Sequence, residues 1–287
     1  MTVKPLNDRI LVELSEAQKQ TSSGLYIPDS AQEKAQTGIV KAIGNSEEIC
    51  VKVGDKALTS KPVQLKDSTL YSHLYEDIYF HPSAGIEESS YVFLEGVELK
   101  NTLKGLQTPT LVELGFGTGL NFLLTAQLLE NLNYTRPFTY ISVEGYPVKR
   151  DLLRQLYAQK TFKSLEKPCQ RLLALYPGEP SCEQVLKLDY APNICLTLLL
   201  YPVEKALNYI PKGVDYWYLD GFNPKTNPQM WGQEVAIALA KKSHKGAKLA
   251  TFSACRLVKN TLDTAQFSWK RVKGFKHKKH ALKAYKL

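Results

Sequence analysis

No continuous apolar run in the 287 residues approaches the roughly 18 needed to cross a bilayer, so no membrane association is expected. The opening residues, Met1-Thr2-Val3-Lys4-Pro5-Leu6-Asn7-Asp8, lack the apolar stretch of a secretory signal, and a cytoplasmic location is expected. Cysteine is sparse. The five cysteines (Cys50, Cys169, Cys182, Cys195, Cys255) form no Cys-x-x-Cys pair, and the histidines show no ligand spacing beside them. Neither a metal site nor a disulfide framework is expected. Internal repeats, low-complexity segments and a Ser/His or Cys/His nucleophile pattern are also missing.

Acidic residues are absent from the last twenty positions, which hold eight basic ones: Lys270, Arg271, Lys273, Lys276, Lys278, Lys279, Lys283 and Lys286. The net charge of +9 is uneven, because residues 1–60 carry seven Lys/Arg against eight Asp/Glu. A basic stripe of this kind suits a polyanion partner, and equally a solvated basic tail.

The first fifty-five residues read as short strands with turns: Arg9 to Leu14, Thr37 to Gly44, and a third starting at Val51. This small all-β module is assigned to residues 1–58. Four pieces resemble the GroES-like co-chaperonins: Lys4 to Val12, Gly24-Leu25-Tyr26-Ile27-Pro28, Gly38 to Gly44, and Val51 to Asp55. The resemblance implies that the polar stretch Ser15 to Ser23 is a mobile loop and that the large chaperonin ring is bound through residues 16–34, with Leu25, Tyr26 and Ile27 docking on it. It fades soon after Asp55, so only a partial barrel is expected.

From residue 59 to 287 strands and helices alternate, which argues for a parallel sheet covered on both faces. The expected strands are 110–114, 138–144, 193–201, 214–220 and 248–253, with a closing pair at 268–274 and 281–287. Expected helices are 121–132, 148–159, 203–210, 229–241 and 257–265. An antiparallel pair ending such a sheet matches the Rossmann-like, seven-stranded methyltransferase fold.

Gly115, Gly117 and Gly119 follow a strand and open a helix, where the backbone must turn sharply and approach a ligand closely. Leu120 stands where a dinucleotide fingerprint has its third glycine, and Glu113 precedes the loop. An acid there repels a pyrophosphate but can orient a cationic amino-acid end, directly or through water. S-adenosylmethionine is the expected cofactor. Glu144, ending the next strand, is placed to accept hydrogen bonds from ribose hydroxyls. Asp220-Gly221-Phe222-Asn223-Pro224 closes the fourth strand, where a carboxylate can orient an amine and favour its proton loss. Asp220 is the catalytic candidate.

Several strings carry a more specific likeness: Glu76 to Phe80, Gly85 to Glu88, Tyr91 to Gly96, Glu113 to Phe122, Tyr218 to Pro224, Asn227 to Trp231, Leu249 to Ser253 and Val272 to Phe275. They resemble the tRNA 5-methylaminomethyl-2-thiouridine methyltransferases, meaning the methyltransferase half of the bifunctional MnmC enzymes and the free-standing MnmD enzymes. The resemblance implies methyl transfer to the amine of 5-aminomethyl-2-thiouridine at the tRNA wobble position. Tyr79, Phe80, Phe222 and Pro224 then become substrate contacts in the anticodon region, and Lys273 and Lys276 phosphate contacts. The flavin-dependent oxidase half is not seen, so a methyltransferase alone is expected. The alternative is a co-chaperonin-like protein with a secondary or inert methyltransferase domain. Two departures stand out. Tyr201-Pro202 replaces the family's Gly-Asp, and Lys278-Lys279-His280-Ala281-Leu282 replaces Arg-Lys-Arg-Glu-Met.

Overall fold

The structure is a computed structural model that describes residues 4–6, 9–14, 37–46, 51–58, 63–276 and 278–287. Leu25, Tyr26 and Ile27 lie outside the described residues, as does the whole stretch 16–34 expected to dock on a chaperonin. The chain divides into two compact units, Met1–Gln64 with Tyr71–Glu76, and Leu65–Leu70 with Asp77–Leu287.

The smaller unit contains an antiparallel sheet ordered β1-β2-β3, from β1 (Ile10–Leu14), β2 (Thr37–Ile43) and β3 (Lys56–Leu58). Val40 is fully buried, and a bulge interrupts β1 between Leu11 and Val12. The third strand begins at Lys56 and not at Val51. Residues before it form a turn, with Gly54 at φ +99° and the Asp55 carboxylate accepting the Lys52 N–H at 2.8 Å. Three further short strands, β4 (Val63–Lys66), β5 (Thr69–Ser72) and β6 (Asp77–Ile78), form a separate sheet in that order.

The larger unit is built on an eight-stranded sheet. Its strands are β7 (Thr110–Leu114), β8 (Phe138–Val143), β9 (Gln184–Ala191), β10 (Ile194–Leu200), β11 (Val214–Leu219), β12 (Ser243–Thr251), β13 (Phe267–Lys273) and β14 (His280–Lys286). Their order is β13-β14-β12-β11-β7-β8-β10-β9. Strands β7, β8, β10, β11 and β12 run parallel, while β14 pairs antiparallel with both β12 and β13. The eighth strand, β9, adds antiparallel to β10 at the edge and was not expected from the sequence. Its alternating, half-exposed pattern belongs to an edge strand, and such short polar alternation is a weak signal.

The helices are α1 (Gly85–Ser89), α2 (Leu99–Thr102), α3 (Leu120–Asn131), α4 (Arg150–Tyr157), α5 (Glu166–Leu175), α6 (Val203–Ala206), α7 (Gln233–Lys242) and α8 (Arg256–Thr264). A π-helical turn, Ser90–Leu94, continues α1. Helix α5 was also missed. Pro168 falls in its first turn, where the missing N–H costs little, although proline ordinarily reads as a helix breaker. Among the described residues no helix is long and apolar enough to cross a membrane.

One topological fact positions the site. β7 leads through α3 to β8 on one side, and the chain later returns to place β11 on the other. Strand order therefore reverses between β7 and β11, which opens a crevice at their carboxyl ends. Trp217 of β11 lies beneath it, fully buried, with its indole N–H donating to the Ser243 hydroxyl at 2.9 Å. Trp217→Ala removes the largest side chain on this strand and one of the two hydrogen bonds of the Ser243 hydroxyl. A loss of about 3–5 kcal/mol in unfolding free energy is expected, measured by urea titration.

Candidate active site

The loop between β7 and α3 is shaped by three left-handed glycines: Gly115 (φ +99°), Gly117 (φ +52°) and Gly119 (φ +72°). Gly115 has the tightest surroundings, because a Cβ there would lie 1.9 Å from the Asp220 carbonyl oxygen. The N–H groups of Gly115 and Phe116 both donate to the Val143 carbonyl, at 2.9 and 3.0 Å, tying the loop to β8. Glu144 then braces the loop from the side. Its two carboxylate oxygens accept the N–H groups of Gly117 and Tyr146, each at 2.8 Å. Burial raises the Glu144 pKa, and these backbone donors oppose the rise. Each oxygen keeps a second lone pair that can accept from a hydroxyl.

Behind the loop lies a buried polar chain. Glu113 has no exposed surface; Ser142 donates to one of its oxygens at 2.6 Å and the Asn121 amide to the other at 2.9 Å. The same amide nitrogen donates to Asp220 at 2.6 Å. Glu113 therefore reaches the crevice through Asn121. The Asn121 side-chain oxygen is buried and has no hydrogen-bond partner, so an acceptor remains free beside Asp220. Burial pushes Glu113 up to about 8, and the neighbouring Asp220 charge adds to the rise. Burial likewise pushes Asp220 up to about 7.

Asn121 is the functional residue that sequence reasoning missed. The available signal was an amide in the first turn of the helix that the glycine loop opens; in the structure it is 3 % exposed. Buried amides of that kind have specific partners.

Aromatic rings line the rim. Tyr79 lies against Gly117 and meets Phe222 edge to face, with ring centroids 5.0 Å apart. Trp231 is core, 1 % exposed, and supports Phe222 by donating its indole N–H to the Phe222 carbonyl at 3.3 Å. Pro224 is half-buried in a turn closed by Thr226 and Asn227, whose N–H groups donate to the Asn223 carbonyl at 2.9 Å. The expectation for Phe80 needs correction. It is 9 % exposed and packs edge to face on Phe162, 5.6 Å away, so it has no free face for a base.

Lys273 and Lys276 are exposed on the β13–β14 hairpin, Lys276 with its ammonium 5.2 Å from the Phe275 ring. Lys278, on the same turn, pairs with Glu88 at 2.6 Å, and its charge acts on Asp220. At the end of β10, Tyr201 stacks on Tyr209 with centroids 4.9 Å apart, beneath the Lys205 ammonium. A Cβ on Gly145 would stand 3.8 Å from the Tyr201 carbonyl oxygen and the Pro202 Cα, the two residues at the place of the family's Gly-Asp.

Residues 163–287 match the family model described as S-adenosyl-L-methionine-dependent methyltransferase. The chain carries an S-adenosyl-L-methionine-dependent methyltransferase domain. Its relatives include the tRNA 5-methylaminomethyl-2-thiouridine biosynthesis bifunctional proteins MnmC of Magnetococcus marinus (36 % identical, covering 76 % of this chain and 32 % of the relative) and of Dichelobacter nodosus (33 %, 79 % and 36 %). The chain thus spans about a third of the length of these relatives. The methyltransferase domain shares its fold with the crystal structure of MnmC2 from Aquifex aeolicus, at TM-score 0.61 and 20 % identity over 80 % of this chain and 67 % of that one. Residues 2–80 match the chaperonin 10 kDa subunit model. Both resemblances read from the sequence are borne out, and S-adenosylmethionine is the cofactor of the methyltransferase domain.

The raised acids have a consequence for stability. Glu113 rises from 4.5 to about 8 and Asp220 from 3.8 to about 7, so the folded state holds protons that the unfolded chain releases. Their contribution is complete below the unfolded values and is lost as pH climbs through the folded ones. Unfolding midpoints in urea are expected to fall between about pH 5 and 8, and Glu113→Gln to flatten that fall.

Proposed function

We propose that this protein methylates the amine of 5-aminomethyl-2-thiouridine at the wobble position of tRNA, using S-adenosylmethionine, with Asp220 as the base. The carrying observation is the placement of Asp220. It stands at the reversal of strand order, bound to Asn121 at 2.6 Å, beside the Tyr79–Phe222 pair.

The residues present suit the cofactor. The glycine loop leaves backbone open for close approach, Glu144 retains lone pairs for ribose hydroxyls, and the free Asn121 oxygen can accept an N–H. When bound, S-adenosylmethionine supplies a methyl group already activated on a sulfonium, so no protein nucleophile is required.

The protein's part is to hold a neutral amine in line. Asp220 accepts the proton of the acceptor ammonium, its affinity for that proton set near neutrality by burial. Asn121 orients the carboxylate, and Glu113, largely protonated at neutral pH, adds little opposing charge. Tyr79 and Phe222 offer ring faces for an unstacked anticodon base, and Pro224 shapes the turn beside them. Exposed Lys273 and Lys276 supply phosphate contacts that fix register without reading sequence.

Methyl transfer from labelled S-adenosylmethionine to tRNA bearing 5-aminomethyl-2-thiouridine tests this reading. Asp220→Asn is expected to lower kcat by about 10²–10⁴-fold while leaving cofactor affinity, measured calorimetrically, nearly unchanged. Equal activity in the variant removes Asp220 from the mechanism.

The match of residues 2–80 to the chaperonin 10 kDa subunit supports a second partner, the large chaperonin ring, bound through Leu25, Tyr26 and Ile27. Co-sedimentation with that ring is expected to disappear in the double variant Leu25→Asp, Ile27→Asp.

A further inference from the structure

Asp220 and Asn121 are held against each other by backbone as well as by side chain. The Asp220 N–H donates to the Leu114 carbonyl at 3.0 Å, which ties the end of β11 to the end of β7. Gly115 follows directly, and its lack of a side chain lets the Asp220 carbonyl approach. Asn121 stands in the first turn of α3, and its carbonyl accepts the Thr125 hydroxyl at 2.7 Å. Both ends of the 2.6 Å contact between Asn121 and Asp220 are thereby anchored.

The two hydrogens of the Asn121 amide are both used. Glu113 accepts one at 2.9 Å and Asp220 the other at 2.6 Å. Its oxygen, Oδ1, is buried and has no hydrogen-bond partner among the described residues. An amide oxygen lies about 2.3 Å from its own nitrogen, so Oδ1 stands no more than about 5 Å from the Asp220 oxygen Oδ2. A single nitrogen making hydrogen bonds of about 2.9 Å can therefore reach both oxygens. Glu113 is fully buried and Asp220 only partly, so a ligand nitrogen meets this pair from the Asp220 side. A buried acceptor of this kind calls for a donor, and a bound amine brings one.

We propose that Asn121 is a specificity-determining residue that limits transfer to one methyl group per amine, its Oδ1 and Asp220 together receiving the two N–H groups of a neutral primary amine. The proposal rests on the reading of Asp220 as the base. Asp220 takes one proton from the acceptor ammonium, which leaves nitrogen with two N–H bonds and a lone pair. With both N–H bonds on protein acceptors, the lone pair is free to face the sulfonium methyl. That pair forms the N–C bond as the C–S bond breaks, and sulfur keeps the electrons of the broken bond. Once its extra proton is lost, the product amine offers a single N–H. With its lone pair aimed as before, its N-methyl group lies against one of the two acceptors. A site built to bond an N–H rejects the analogue lacking it, because the buried acceptor is left unpaired.

The test is equilibrium binding, without cofactor, of the full-length protein to anticodon stem-loops whose wobble 2-thiouridine carries a 5-aminomethyl, 5-methylaminomethyl or 5-dimethylaminomethyl group. The wild type is expected to bind the aminomethyl form at least about tenfold tighter than the dimethylated form. Asn121→Ala is expected to shrink that preference to within about threefold. A supporting role alone would weaken all three forms alike and leave the preference unchanged. Nucleoside mass spectrometry after methyl transfer is expected to show the dimethylated uridine with the variant and none with the wild type. A preference like that of the wild type in folded Asn121→Ala overturns the proposal. Should that variant fail to fold, Asn121→Ser, which also lacks the amide oxygen, is read in the same way, and equal wild-type affinity for the three forms overturns the proposal without any variant. Stem-loops neither bound nor methylated by the wild type count against the tRNA reading and the proposal with it, whereas binding without preference overturns the proposal alone.

Discussion

The Asn121 side-chain amide donates to Glu113 and to Asp220 at once, and the placement of both acids depends on that shared donor. The two carboxyl groups come from β7 and from the end of β11, the neighbours between which strand order reverses. Backbone pairing brings these strands together without specifying how their terminal side chains are directed. Burial favours the protonated form of both acids, and at Glu113 the neighbouring Asp220 charge adds to the rise. Ser142 from β8 completes the arrangement by donating to Glu113. Three strand ends are joined through a few polar contacts under the glycine loop, and Gly115 packs against the Asp220 carbonyl in the same place.

This division of labour separates support from contact. Glu113 and Asn121 lie in the wall, where the Asn121 amide donates to Glu113 and to Asp220. Glu144 holds the loop through Gly117 and Tyr146 while leaving lone pairs turned elsewhere. Tyr79 and Phe222 meet edge to face at the rim, with Trp231 behind Phe222. On the far side of β8, Tyr201 stacks on Tyr209, and Pro202 stands where an acid is expected in the related family. Residues 201 and 202 supply no carboxylate at that end.

Much of this was readable in the residues. Positive φ at Gly115, Gly117 and Gly119 follows from a strand that must turn at once into a helix, and alternating strands and helices do specify a largely parallel sheet. Edges were harder to read. β9 escaped notice because an edge strand alternates half-exposed residues, and α5 because Pro168 lies in its first turn. Tyr79 and Phe80 show a second difficulty. They are neighbours in the chain, yet one lies over the loop and the other packs on Phe162. Aromatic character is the same for both, and only the path of the backbone separates rim from core.

The sequence by itself determined the identity of the domain, its cofactor class and the acid at the end of each relevant strand, because these rest on local patterns of glycine, apolar run and carboxylate. Only the tertiary structure decided which acids act together. Glu113, Asn121, Ser142 and Asp220 are scattered over some 107 residues, and long-range pairing of strands brings them together. Hydrogen bonds and charges act over a few ångströms of space and carry no trace of separation along the chain, so the protonation of this site emerges from the fold.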